Sequence, residues 1–245
     1  MERKPDLNKI LKRKKKEPHC TAVVLAAGSS TRMGQDKTVM SLGGVPVIVR
    51  TLRAFEAHPL VDAIIVVTRK ERLSEIAAMR EEYSLGKITQ VLIGGATRAE
   101  SSLIGVSAVP KEAEYIAIHD AARPLVTEKV ITDVLLAARD YRAAVPSVPS
   151  TDSLRLVEGE FFGGILDRDK VAAIQTPQIF SADLIKGALT YAVQHQVPIT
   201  DDSSALSCTG FPVRRVDGDR NNIKLTTPED VIFAEAILKA REAAQ

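Results

Sequence analysis

An α/β fold, doubly wound around a mostly parallel sheet and carrying a protruding β-hairpin arm, is what the 245-residue sequence predicts, and three observations predict it. Short apolar runs rich in β-branched residues alternate with amphipathic stretches, which is the rhythm of strand and helix in α/β proteins. The first run, residues 22–25, opens into a turn of small residues, Ala26, Ala27, Gly28, Ser29 and Ser30, followed by the cations Arg32 and Lys37. Between Ser150 and Asp169 the rhythm stops, and the chain alternates around Glu158 to Glu160 as a hairpin that leaves the sheet.

The elements come in order. Residues 22–25 read as a buried parallel strand, ended by the small residues of the turn. Residues 46–57 predict a helix, 63–67 a strand, 71–83 a helix and 88–93 a strand. A helix over 101–109 and a strand over 115–118 come next, and Ile131, Val134, Leu135 and Ala138 then mark one apolar helix face at i, i+3, i+4 and i+7. Such alternation implies a Rossmann-like sheet with helices on both faces. The hairpin at about 150–169 carries Phe161, Phe162, Ile165 and Leu166, and this apolar surface needs a cover. A symmetric partner chain supplies one, and folding back on its own domain is the alternative. The final helix is signalled by Thr227 as N-cap, Pro228 at the first helical position and Asp230 two residues on. Lys224 then closes an extended segment just ahead of that helix N-terminus.

Composition narrows the function. With 45% hydrophobic and 26% charged residues, and no apolar run near the roughly 18 residues of a membrane span, the chain reads as a cytoplasmic protein with no membrane partner. The net charge of +2 is asymmetric: residues 1–16 hold eight Lys or Arg against two acids, +6, which leaves −4 for the remainder. A mildly acidic body argues against nucleic acid as partner, and residues 1–19 read as a solvated, disordered tail ahead of a single domain over 20–245. Cys20 and Cys208 are too few and too isolated for a disulfide framework or a zinc site, and no protein-held metal is expected.

The chemistry is read from the loops at the ends of the strands, because ligands in open α/β sheets bind beyond the strands' carboxyl ends. Small side chains at Ala26, Ala27 and Gly28 let a ligand approach the backbone, whose successive N–H groups form an anion-binding concavity. Arg32 adds a planar fork of donors and Lys37 a compact charge, which together suit a triphosphate. Neither GxxxxGK[ST] nor GxGxxG occurs, so the turn is not a Walker A loop or a dinucleotide fingerprint. Gly95 and Ser101 come after the strand at 88–93, and Asp120 and Arg123 after the strand at 115–118. Asp120 has two readings, a ligand for ribose or polyol hydroxyls and a helix N-cap. His119 reads as structural. Thr176 and Thr200 are candidate partners for substrate hydroxyls, and Thr200 could equally cap a helix beginning at Asp201.

LAAGxxxRMG followed by lysine is a pattern of nucleotidyltransferases. Together with HDAARP from His119, TPQIF from Thr176, TDDSSA from Thr200 and NIKLTTPED from Asn222, in this order, the chain resembles the 2-C-methyl-D-erythritol 4-phosphate cytidylyltransferases from about Thr21 to Leu238. The resemblance implies CTP as donor, a polyol phosphate as acceptor and Mg²⁺ bound mainly through the CTP phosphates. It implies catalytic roles for Arg32, Lys37, Arg168 and Lys224, and a nucleotide site of Ala26, Ala27, Gly28, Gly95, Ser101 and Asp120. Acceptor contacts would come from Asp120, Arg123, Ser153, Arg168, Thr176, Thr200 and Lys224. It further implies an arm exchanged across a homodimer, so that Arg168 would complete the other subunit's site; a surface pair with Asp167 or Asp169 is the alternative reading. The chain departs from the family pattern in a short Arg32 to Lys37 gap, in Ala96 where Asp is usual, and in the arm hydroxyl, where Thr is usual after Asp and Ser153 stands behind Asp152, with Thr151 as the alternative. Two rival functions stand beside this one: a ribitol 5-phosphate cytidylyltransferase, which shares the fold, the cradle and an HDAxRP-like segment, and a nucleotide-binding regulatory module without activity, supported only by Ala96 and the short loop.

Overall fold

The computed structural model describes residues 20–28 and 38–243. The expectations for residues 1–19, Ser29, Ser30, Arg32 and Lys37 lie outside the described residues.

The first strand, β1 (Cys20–Ala26), is buried along nearly its whole length and lies in the interior of the sheet. It pairs in parallel with β4 (Ala63–Thr68) on one side and β6 (Tyr115–Asp120) on the other. Two short strands, β2 (Ser41–Leu42) and β3 (Val45–Pro46), form a separate hairpin before helix α1 (Val47–Glu56). Beyond β4, a 3-10 turn at Lys70–Arg72 leads into α2 (Leu73–Glu82), and β5 (Ile88–Ile93) closes that edge of the sheet.

The other half is mixed. After α3 (Arg98–Ser107) and β6 comes α4 (Glu128–Tyr141), then β7 (Ala143–Pro149). The hairpin β8 (Arg155–Glu158) and β9 (Phe161–Ile165) comes next as a separate two-stranded ribbon. The chain returns through β10 (Ala172–Ile174), β11 (Gln178–Ser181), α5 (Ala182–Gln194), α6 (Asp202–Ser207), β12 (Arg214–Asp217) and α7 (Pro228–Ala243). The order is β10-β7-β11-β6-β1-β4-β5, with β12 parallel to β7; β10 and β11 run antiparallel to their neighbours.

Alternate residues of the central strands feed two cores, as the pleat requires. Ala22, Val24, Ile64, Val66 and Ala117 pack under α1, α2 and α4, through Leu52, Phe55, Ile76, Ile131 and Leu135. Val23, Ile65, Val67, Ile116 and Ile118 face α3, α5 and α6, through Val106, Ile185, Leu189 and Leu206. Helices on both faces make the sheet doubly wound, as expected. At Gly105 the helix α3 comes so close to the sheet that an added Cβ would stand 2.4 Å from Val23 Cγ1 and 2.8 Å from Val67 Cγ2.

Three expectations are corrected. Helix α3 begins at Arg98 instead of 101, because Thr97 and Glu100 form a reciprocal capping box: Thr97 Oγ1 accepts from Glu100 N at 3.1 Å and Glu100 Oε2 accepts from Thr97 N at 3.3 Å. Asp201 caps α6, not Thr200, because its carboxylate accepts the Ser204 N–H at 2.8 Å. Lys224 does not close a strand. The extended run β12 ends at Asp217, and Lys224 stands in irregular chain that is pinned by the Leu225 N–H donating to Ala122 O at 2.8 Å and by Leu225 packing on Leu42, Val47 and Leu125. The N-terminus of α7 is made as expected through Asp230, whose Oδ2 accepts from Thr226 N at 2.6 Å and Thr227 N at 2.8 Å.

Candidate active site

Strand register brings the site together. Leu25 lies beside Asp120 in the β1–β6 pairing, so Ala26, Ala27 and Gly28 emerge next to the end of β6. The antiparallel β11 pairs Gln178 with Ile118, which carries Thr176 back to Asp120. The capping box presents Gly95 to Arg98 on the other side. Gly94 has little latitude there, since a Cβ would meet Ala27 Cβ at 2.6 Å and Ser101 Oγ at 2.8 Å.

These segments enclose a cleft of two adjoining lobes. The first, about 350 Å³, is lined by Ala26, Ala27, Gly28, Gly95, Ser101 and Asp120, all residues expected to bind nucleotide, together with Thr38, Ala96, Thr97 and Ala122. The second, about 270 Å³, is lined by Arg123, Thr176 and Thr200 beside Gln175, Gln178 and Asp201. Arg98, Asp120 and Lys224 line both and stand where the lobes meet. Arg168 and Ser153 line neither; both are exposed on or beside the arm, and Arg168 begins a 3-10 turn whose Asp167 pairs with Lys170 at 3.3 Å.

The charges at the boundary converge on one carboxylate. Lys224 Nζ is 2.7 Å from Asp120 Oδ2, Arg98 Nη2 is 3.5 Å from Asp120 Oδ1, and Arg123 Nε is 3.9 Å from Asp120 Oδ2. Burial alone would push the Asp120 carboxyl up, but Arg98 and Lys224 outweigh it and hold the group well below the usual carboxylate range. Asp120 therefore stays anionic and gathers three cations. Of the two readings of Asp120, the helix cap is not made: its carboxylate meets cations, and the next helix is capped by Thr127.

Beneath Asp120 lies a neutral relay of hydrogen bonds. His119 Nε2 is 3.2 Å from Arg123 O, and a carbonyl only accepts, so Nε2 carries the proton. Nδ1 then accepts from the Thr176 hydroxyl at 3.0 Å, while Thr176 Oγ1 accepts from Asp120 N at 3.1 Å. Burial, against the nearby Asp120, brings the His119 pKa down to about 4, so the ring is neutral and structural at neutral pH. Thr176 is buried and keeps one lone pair for any further partner. Arg123 donates to Asn222 O at 2.7 Å, and the fully buried Asn222 donates to Thr176 O at 2.9 Å, which ties the Lys224 segment to β11.

Arg98, Asp202 and Asn222 are absent from the sequence-derived site. Thr97-x-x-Glu100 is a capping-box signature that would have put Arg98 on the first turn after the glycine loop. Asp202 lies within the TDDSSA motif, but no spacing marks its partner: its carboxylate takes Arg98 Nη2 at 2.6 Å across 104 residues.

A cleft beyond the carboxyl ends of parallel strands, with small residues along one lobe and cations where it meets the other, defines a nucleotide-dependent transferase of the nucleotidyltransferase class. Residues 20–240 match the family described as 2-C-methyl-D-erythritol 4-phosphate cytidylyltransferase. A protein of that name from Halalkalibacterium halodurans is 38% identical over 224 residues, covering 91% of this chain and 98% of the relative. Another, from Caldanaerobacter subterraneus, is 40% identical over 223 residues, covering 89% and 98%. The crystal structure of 4-diphosphocytidyl-2C-methyl-D-erythritol synthase from Anaerococcus prevotii superposes with a TM-score of 0.81 at 31% identity, covering 90% of this chain and 96% of that one. The chain belongs to the 2-C-methyl-D-erythritol 4-phosphate cytidylyltransferase family.

Proposed function

We propose that this protein transfers the cytidylyl group of CTP to 2-C-methyl-D-erythritol 4-phosphate, releasing pyrophosphate and forming 4-diphosphocytidyl-2-C-methyl-D-erythritol. The observation that carries the reading is the pair of lobes meeting at Lys224, Asp120 and Arg98. Family membership favours methylerythritol phosphate over ribitol 5-phosphate and over an inactive regulatory module. Residues 20–245 act as one nucleotidyltransferase domain.

An acceptor phosphate oxygen attacks the α-phosphorus of CTP in line; the new P–O bond forms as the bond to the β-phosphate breaks, and pyrophosphate leaves with the electron pair. Both reactants are anions, and a phosphate monoester at neutral pH is already a nucleophile, so the site needs placed positive charge more than a general base. The backbone at Ala26, Ala27 and Gly28, with Gly95, Ser101 and Asp120, would hold the nucleotide in the first lobe. Asp120, Arg123, Thr176, Thr200 and Lys224 would receive the acceptor in the second. Lys224 serves both substrates from the boundary. Fixing two phosphates in this way can supply about 7 to 11 kcal/mol of the barrier. Arg32 and Lys37 would stabilise charge on the α-phosphate and the leaving pyrophosphate.

Asp120 is the one carboxylate that lines both lobes among the described residues, and its oxygens face cations. That donor set fits a Mg²⁺ carried in on triphosphate oxygens better than an ion held by the protein. Such an ion would neutralise phosphate charge. We further propose a homodimer formed through the arm, whose Phe161 is 78% exposed and Phe162 74%, with Ser153 and Arg168 completing the partner's acceptor site. No helix among the described residues is long and apolar enough to cross a membrane; a cytoplasmic location, without membrane or nucleic acid as partner, agrees with the substrates.

Incubating purified protein with CTP, Mg²⁺ and each acceptor separately, while measuring pyrophosphate, tests the reading. Release with methylerythritol phosphate and none with ribitol 5-phosphate is expected; the reverse pattern, or CTP binding without release, overturns it.

A further inference from the structure

We infer that Asp202 is a positioning residue for the transfer, anchoring Arg98 at the lobe boundary so that Lys224 keeps its place on Asp120; the inference rests on the proposed function. Asp202 is fully buried at the first position of α6. Its helix is locked from both sides: Asp201 Oδ1 accepts from Ser204 N at 2.8 Å, and the fully buried Gln178 accepts the Ser203 N–H at 2.9 Å. A buried carboxylate requires a compensating cation. Arg98 is that cation, at 2.6 Å from Asp202 Oδ2, while Asp202 Oδ1 has no hydrogen-bond partner among the described residues.

Arg98 reaches two carboxylates at once. Its guanidinium lies 2.6 Å from Asp202 and 3.5 Å from Asp120, and its side chain is 32% exposed toward the cleft. The planar fork permits this sharing, which a lysine ammonium on a flexible stem does not reproduce. The distances order the attachments: Arg98 belongs chiefly to Asp202 and only grazes Asp120 Oδ1, at 3.5 Å, while Lys224 holds the other oxygen, Oδ2, at 2.7 Å. Without the Asp202 charge, the guanidinium is free to close onto Asp120 Oδ1, and a full cation there weakens the pull of the same carboxylate on Lys224 at Oδ2. The boundary residue would shift while the walls of each lobe stay in place, so the loss falls on turnover more than on either substrate's binding.

Steady-state pyrophosphate release with CTP and methylerythritol phosphate tests this on wild type, Asp202→Asn, Arg98→Lys, Arg98→Gln and the double variant Arg98→Gln/Asp202→Asn. Asp202→Asn should lower kcat by about tenfold or more with both KM values within about threefold, and in the Arg98→Gln background it should lower kcat by less than about twofold further, because the two residues act as one unit. Wild-type kcat in Asp202→Asn, a loss confined to KM, or losses that multiply in the double variant would overturn the inference. Should Asp202→Asn melt or aggregate, Arg98→Lys decides alone: a kcat about tenfold down at unchanged melting temperature supports the role, and wild-type kcat removes it. A wild-type protein that releases no pyrophosphate overturns the proposed function and this inference together; an active wild type with indifferent variants overturns the inference alone.

Discussion

Lys224 and His119 both adjoin Asp120, yet they answer to different physics. Lys224 is half-exposed and its ammonium faces both lobes, so its removal should touch chemistry and spare the fold. Lys224→Met is expected to lower kcat by about 10² to 10³, the usual cost of deleting a preorganised electrostatic contact, while the melting temperature stays close to wild type. Asp120 keeps Arg98 and Arg123 in that variant. His119 behaves in the opposite way. Its pKa is brought down to about 4 when folded against 6.5 for the free side chain, so the unfolded chain binds more protons between those values. Stability from His119 is therefore complete above pH about 6.5 and declines as pH falls toward 4, by about 3 kcal/mol in all. Asp120, whose folded pKa is depressed, adds a loss only below its ordinary value near 3.8. Urea denaturation across pH 4 to 7 should show the slope, and His119→Gln should flatten it; an unchanged slope would remove His119 as its source.

At the scale of elements, α3 is the part most tightly fitted to the site. Its capping box shapes the Gly95–Arg98 loop, and Gly105 lets the helix lie against β1 and β4. Gly105→Ala should cost about 1 to 3 kcal/mol in chemical denaturation, the range for overpacking, because the neighbouring valines are held by the sheet and give way poorly. A neutral or stabilised variant would mean that the helix can slide off at no cost. The central elements were legible in sequence because their burial is regular: residues 63–67 fall within β4, buried at every position, and the face of Ile131, Val134, Leu135 and Ala138 is the buried face of α4. The pattern does not mark β7, which carries Pro146 and Pro149, residues that withhold a ladder donor. Of the site, motifs after strands pointed to Ala26, Ala27, Gly28, Gly95, Ser101, Asp120 and Arg123, which line the two lobes. The Arg98–Asp202 pair was not legible, since two residues 104 apart meet through tertiary packing that no local spacing encodes.

In the whole molecule, the proposed dimer ties assembly to activity through the arm. Val157, Phe161, Phe162 and Ile165 are each more than 70% exposed, an apolar ribbon left uncovered among the described residues. Replacing Phe161 and Phe162 together with Glu should convert the proposed dimer to a monomer in sedimentation experiments and reduce turnover, since Ser153 and Arg168 would no longer reach the neighbouring cleft. A variant that stays dimeric, or a monomer with full activity, would separate the arm from the site. The central claim concerns the cleft itself: two lobes, one for each half of the product, joined at Lys224. A crystal structure with 4-diphosphocytidyl-2-C-methyl-D-erythritol bound tests it most directly. Cytidine is expected against Ala26 to Gly28 and Ser101, the polyol beside Arg123 and Thr176, and the diphosphate within hydrogen-bond distance of Lys224 Nζ. A diphosphate out of reach of Lys224, or both halves of the product in one lobe, would contradict the claim.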